Sequence, residues 1–138
     1  MLLLMTQTTS PPLTSSVVQA FTYGDCWALA EAMSQQSEYP VVSVSGAERG
    51  WVHAGVLLPS GGVLDAEGIH DAESWRQTWA DKQQSSLIPL FGGSFVLREW
   101  TAQEWSQVID DSGLYPMFAL SLEVDRYAAE LLCWAVEV

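Results

Sequence analysis

A chain of 138 residues with only two cysteines, Cys26 and Cys133, and two histidines, His53 and His70, offers few routes to chemistry at neutral pH. One combination stands out. Cys26 opens a run dense in helix formers, Cys26-Trp27-Ala28-Leu29-Ala30-Glu31-Ala32-Met33-Ser34. At a helix start the free N–H groups and the dipole favour a thiolate over a thiol, and they stabilise an oxyanion on a carbonyl that the sulfur attacks. His53 lies inside an apolar, strand-like stretch, a rigid platform for a general base. Asp65 follows on the return arm of the same hairpin. An odd-length loop puts the two on one face, where the carboxylate fixes the imidazole tautomer, and an even-length loop separates them. The chemistry is nucleophilic acyl transfer, with Cys26 as nucleophile, His53 as base and Asp65 as orienter.

Each residue taken singly has a plainer reading. A free cysteine on an apolar helix face is ordinarily packing. A strand histidine is ordinarily a satisfied core residue, and an aspartate beside a Gly-rich turn ordinarily makes local hydrogen bonds. The order Cys, His, Asp, each on the element the mechanism needs, is what points to a site. His70, at a helix entry between Ile69 and Asp71, reads as a surface residue. Cys26, His53, Asp65 and His70 show no paired-ligand spacing of the zinc kind, so no metal and no cofactor is expected.

The elements that must position these residues follow from periodicity. Cys26, Leu29, Ala30 and Met33 share a helical face, with Asp25 as the N-cap candidate. Val41–Ser45 and Trp51–Leu58 read as strands, Pro59-Ser60-Gly61-Gly62 as a hairpin turn and Val63–Ala66 as a short return strand. Asp71 caps a helix over Ala72–Gln84 that carries Trp75 and Trp79 on one face, core or cleft wall. A strand near Ser94–Glu99 leads to a capping box, Thr101 with Glu104, and a helix to about Asp110. Pro116–Glu123 reads as a buried strand, and Val124–Val136 as a helix, with a strand over Leu132–Val138 as the competing reading. The fold class is α+β: an N-terminal helix packed on a mostly antiparallel sheet, with additional helices. Residues 1–16, rich in Thr, Ser, Gln and Pro, read as a flexible tail before one domain over 17–138.

Composition narrows the partners. Seventeen acidic against five basic side chains give a net charge of −12, and the basic ones are scattered singly. That excludes gripping a phosphate backbone or docking on an anionic membrane. It leaves neutral or cationic small molecules, a basic protein surface, or an acidic surface that mimics nucleic acid. The acidic run Glu67, Asp71 and Glu73 near Asp65 points the same way, although such runs are usually solvated faces. No apolar run reaches the roughly 18–20 residues that span a bilayer. Met1-Leu2-Leu3-Leu4-Met5 is too short for a signal-peptide core, and either Met1 or Met5 could be the start. A soluble, cytoplasmic protein with reduced thiols is expected.

The segments Gly24-Asp25-Cys26-Trp27-Ala28-Leu29-Ala30, Val52-His53-Ala54 and Leu64-Asp65-Ala66-Glu67-Gly68 resemble the papain-like cysteine hydrolase and transglutaminase superfamily, in particular its small members from phage genomes and toxin cassettes. The resemblance covers residues 19–69. It implies a papain-like fold and a Cys26–His53–Asp65 triad acting on a small amide, an ester or a protein side chain, by hydrolysis, deamidation or transamidation. It also implies an oxyanion donor shortly before the cysteine. The family often uses a Gln six residues upstream; here Gln19 lies seven upstream, and Thr22 or Tyr23 could serve instead. Trp27 and Trp51 adjoin Cys26 and His53, so they line the entrance or clamp helix to sheet. The competing reading is a non-catalytic acidic protein, an inhibitor or immunity partner that occupies a basic protein site.

Overall fold

A computed structural model describes residues 11–46, 50–84, 95–118 and 122–137. Its central element is a helix that solvent barely reaches. Helix α1 (Ser15–Thr22) leads into α2 (Cys26–Ser37), whose Cys26–Ala30 and Ala32–Ser34 are all buried. A helix apolar on most of its circumference must be covered on most sides. One side of α2 faces the sheet and another faces the last helix, α5 (Val124–Glu137), through a core of Phe21, Leu29, Met33, Val56, Leu64, Tyr127 and Leu131. The N-terminal half of α2 packs through Trp27, Ala28 and Ala30 on Trp105 and Ile109 of α4 (Ala102–Ser112).

The sheet has β1 (Val41–Gly46), β2 (Trp51–Leu57), β3 (Val63–Asp65), β4 (Gly68–His70) and β5 (Phe95–Trp100) in the order β4-β3-β2-β1-β5. Every pairing is antiparallel, and the fold is α+β. Helix α3 (Ala72–Gln84) covers one sheet face, where Trp75, Trp79 and Ala80 meet Val42, Val44, Val63 and Phe95. The Thr101–Glu104 capping box forms at the start of α4 with both reciprocal bonds, at 3.1 and 2.8 Å.

Two features of the ladder aim the candidate residues. Val56 pairs with Leu64 and Leu57 with Val63, so Asp65 and His53 fall on one face as diagonal neighbours. The β1–β2 ladder also slips between Val44, opposite His53, and Ser45, opposite Trp51. Such a bulge bends a strand and re-aims the side chains beside it. Gly55, between His53 and the turn, lets β2 and β3 close up: a Cβ there would lie 2.6 Å from the Leu64 carbonyl oxygen and 3.0 Å from Val63 Cγ1. Gly55→Ala is therefore expected to cost about 1–3 kcal/mol of stability by overpacking. Urea denaturation measures it, and a loss under about 0.5 kcal/mol would contradict the close approach.

Several expectations are corrected. Of the expected tail, residues 1–10 lie outside the described residues, while Ser15 and Ser16 form the first turn of α1 and Leu13 lies against the core. Pro116–Glu123 is not a buried strand. Pro116, Met117 and Phe118 are irregular and exposed, Leu122 is exposed in a 3-10 turn that leads into the last helix, and 119–121 lie outside the described residues. The expected C-terminal helix does form, over Val124–Glu137, and the competing strand from Leu132 does not. Asp25 is the N-cap residue of α2, yet its side chain makes no cap bond. It instead accepts the backbone N–H of Met117, at 2.9 and 2.8 Å, and of Phe118 at 3.1 Å. This strap lies so close that a Cβ at Gly24 would meet Phe118 Cε2 at 2.7 Å.

Candidate active site

His53 is 1% exposed and Asp65 2%, so any charge they carry is shielded from water and must be met by protein groups. Asp65 is met fully. Its Oδ2 accepts from His53 Nε2 at 3.0 Å and from Trp75 Nε1 at 2.9 Å. Its Oδ1 accepts from His70 Nε2 at 2.7 Å and from the Glu67 backbone N–H at 2.9 Å. Four donors saturate a carboxylate, which has about four lone-pair sites. An ionised carboxylate only accepts, so Nε2 of His53 carries a proton, and its tautomer is fixed by that bond. The other ring nitrogen, Nδ1, is buried and has no hydrogen-bond partner of normal geometry among the described residues. Nδ1 is thus the position left for proton exchange.

The ring is clamped as well as polarised. Trp79 stacks on it with centroids 3.9 Å apart and planes 19° from parallel, and Trp75 packs on it at 5.5 Å. Two groups then act on its charge. Burial, the largest influence, disfavours the imidazolium. Electrostatic attraction to Cys26 and the hydrogen bond with Asp65 outweigh it and raise the pKa from 6.5 to about 9. Asp65 shows the mirror image. Burial, again the largest influence, opposes its ionisation, but the His53 and His70 hydrogen bonds hold it well below the usual carboxylate range. His70 is half-buried, and its bond to Asp65 raises its pKa against the effect of burial.

Cys26 is the first residue of α2, 5% exposed, and neither cysteine is in a disulfide. The Asp25 carbonyl accepts the N–H groups of Ala28 and Leu29 at 3.0 and 3.4 Å. The N–H groups of Cys26 and Trp27 are left without an intrahelical acceptor, as at any helix start. Among the upstream candidates, Gln19 is exposed on α1. Thr22 is buried, and its hydroxyl has no partner among the described residues.

The structure redistributes the tryptophans. Trp27 is buried against α4, its carbonyl accepting Trp105 Nε1 at 3.2 Å, and Trp51 packs on Trp105 at 5.2 Å. They clamp helix to sheet. Trp75 and Trp79 hold the site instead. Tyr23, 62% exposed, does border a cleft of about 370 Å³, together with Val52, Trp79, Lys82 and Gln83. His70, read from sequence as a surface residue, belongs to the site. The β3–β4 ladder, with His70 opposite Val63 and Asp65 opposite Gly68, brings it there, and no local sequence signal marks that ladder.

Asp65, Glu67 and His70 also bring one ligand atom each within 4.8 Å of the others, a spacing that suits a cation. The Asp65 oxygens are already filled by N–H donors, so a cation there must displace His70 from them. Searches of protein-family models, of curated proteins and of solved structures each return no match to this chain. Among the described residues no helix is long and apolar enough to cross a membrane.

Proposed function

We propose that this chain is a small cysteine-dependent hydrolase or acyltransferase of papain-like type, with Cys26 as nucleophile, His53 as acid and base, and Asp65 as the group that positions His53. The observation that carries the reading is the saturated Asp65 carboxylate, which holds the proton on His53 Nε2 and leaves buried Nδ1 without a hydrogen-bond partner among the described residues, on a ring that Cys26 influences electrostatically. Structural histidines are usually satisfied at both nitrogens; a reacting one keeps a nitrogen available.

The steps balance as follows. The Cys26 thiolate forms a bond to the substrate carbonyl carbon, and the carbonyl electron pair moves to oxygen. The N–H groups at the start of α2 stabilise that oxyanion. The tetrahedral adduct collapses, the bond to the leaving amine or alcohol breaks, and that group takes the proton from His53 Nδ1. Water then attacks the thioester while Nδ1 accepts its proton, releasing the acid and restoring the thiolate and imidazolium. An amine in place of water gives transamidation, and a glutamine side chain as substrate gives deamidation. Reduced cysteines suit action in the cytoplasm.

The two cysteines make the test internal. With a thiol-alkylating probe at pH 5.5, buried Cys26 is expected to label at least about tenfold faster than exposed Cys133, and His53→Ala to remove that advantage. Labelling of Cys133 alone, with an ordinary thiol pH profile, would overturn the reading. It would point instead to a non-catalytic acidic protein with a basic partner.

A further inference from the structure

We propose that His70 is a second positioning residue of the candidate triad, holding the Asp65 carboxylate by one oxygen so that the other stays aimed at His53. This inference rests on the hydrolase reading above and adds a fourth member to its site. The register of three neighbouring strands sets up the arrangement. Asp65 ends β3, the strand between β2 and β4. His70 stands opposite Val63, and Gly68 opposite Asp65, so His70 is a diagonal neighbour of Asp65 on one side as His53 is on the other. The two imidazoles then take different oxygens. His53 Nε2 donates to Oδ2 at 3.0 Å and His70 Nε2 to Oδ1 at 2.7 Å.

A carboxylate at the end of a three-residue strand turns about its side-chain bonds unless both oxygens are held. Oδ2 is shared by His53 and by Trp75 Nε1, 2.9 Å away. On Oδ1 the other donor among the described residues is the Glu67 N–H, two residues along the same turn. That is the local bond an aspartate makes in many turns, and it moves with the turn. His70 reaches Oδ1 from a separate strand, whose ladder with β3 fixes where its ring starts. Exposure separates this role from packing. The side chains of His53 and Asp65 are 1% and 3% exposed, and that of His70 is 29% exposed. A ring left partly in water gains less from burial, so its main contribution here is the bond to Asp65. Without that bond the carboxylate rotates, Oδ2 leaves His53 Nε2, and the proton of the imidazole is no longer held in place.

The test compares His70→Leu with His70→Gln, whose amide N–H can still serve Oδ1. In proton–nitrogen correlation spectra the His53 Nε2–H signal, assigned by its loss in His53→Gln, is expected to be protected from exchange in the unmodified protein and in His70→Gln. In His70→Leu it is expected to vanish into exchange with water. Alkylation of Cys26 at pH 5.5 is expected to fall about tenfold in His70→Leu, the lower end of what one hydrogen bond to a charged group is worth, and to hold in His70→Gln. Alkylation at pH 8.5 distinguishes positioning from mere support of the fold. Loosened packing opens the buried thiol and speeds its labelling there, whereas a mis-set imidazole leaves that rate unchanged or lower. A His53 signal that persists in His70→Leu, an unchanged rate at pH 5.5, faster labelling at pH 8.5, or a His70→Gln that behaves as His70→Leu overturns the proposal. The hydrolase reading fails by a different result. If Cys26 of the unmodified protein labels no faster than Cys133 at pH 5.5, the hydrolase is overturned, and the His53 signal alone decides whether His70 positions the ring.

Discussion

Asp65→Asn is expected to destabilise the protein by about 3–5 kcal/mol, although it changes one atom type and almost no volume. The carboxylate is buried and receives four N–H donors, from His53, Trp75, His70 and the Glu67 backbone. An amide offers one acceptor oxygen and turns an NH2 toward the remaining donors, so two of them lose their partner and meet another donor. Removing one member of a buried charged network costs about 3–5 kcal/mol, because the groups left behind stay desolvated. The same change removes the bond that fixes His53 Nε2, so the imidazole is free to take the tautomer with its proton on Nδ1. The labelling advantage of Cys26 at pH 5.5 should fall with it. Urea denaturation reads the first effect and the alkylation rate the second. A stability loss under about 1 kcal/mol would mean that the four bonds are not a network.

Raising the pH should unfold the protein from the same place. His53 titrates at an ordinary 6.5 in the unfolded chain and at about 9 in the folded one. A group with a raised folded value contributes stability that is complete below about 6.5 and lost as pH climbs through about 9. The titratable groups facing the ring are Cys26 from α2, the Asp65 carboxylate from β3 and His70 from β4, while α3 contributes Trp75 and Trp79 among the described residues. A rise from 6.5 to 9 corresponds to about 3 kcal/mol. His70 adds to the same limb, since its value is also raised. Asp65 acts in the other direction: its contribution is present above its ordinary 3.8 and lost only as pH falls through a far lower folded value. Maximum stability is therefore expected between about pH 4 and 6.5. Denaturation curves at pH 5.5, 7, 8 and 9.5 should show the alkaline decline, and His53→Gln should flatten it. An equal decline in His53→Gln would place the titrating group elsewhere.

How much of this was legible in the sequence differs by element, for physical reasons. The hairpin carrying His53 and Asp65 was legible because alternating apolar residues flank a Pro-Ser-Gly-Gly turn, and a period of two fixes which residues share a face. The Thr101–Glu104 box was legible because capping is local. Helix α1 was not, because Val17, Ala20 and Phe21 sit behind a Ser/Thr/Pro run that resembles a tail. Strand β4 has three residues, too few for any period, and with it went the role of His70. Trp75 and Trp79 were readable as one helix face, but what that face covers depends on sheet order, which no local signal carries. The run from Pro116 failed for the opposite reason. Its apolar residues mimic a buried strand, whereas its backbone donors are taken by a side chain far away in the sequence.

That distant acceptor, Asp25, bears on how much of the chain the site needs. The carboxylate sits at 0% exposure next to the candidate nucleophile, and its donors Met117 and Phe118 lie 92 and 93 residues further along. A chain that ends at Leu114 already contains Cys26, His53 and Asp65 together with all five strands. In that shorter chain Asp25 lacks two of the groups that meet its buried charge at the start of α2. The start of α2 is therefore tied to the chain beyond residue 116, and a truncation before Met117 is expected to loosen the surroundings of Cys26 while leaving every strand in the sequence.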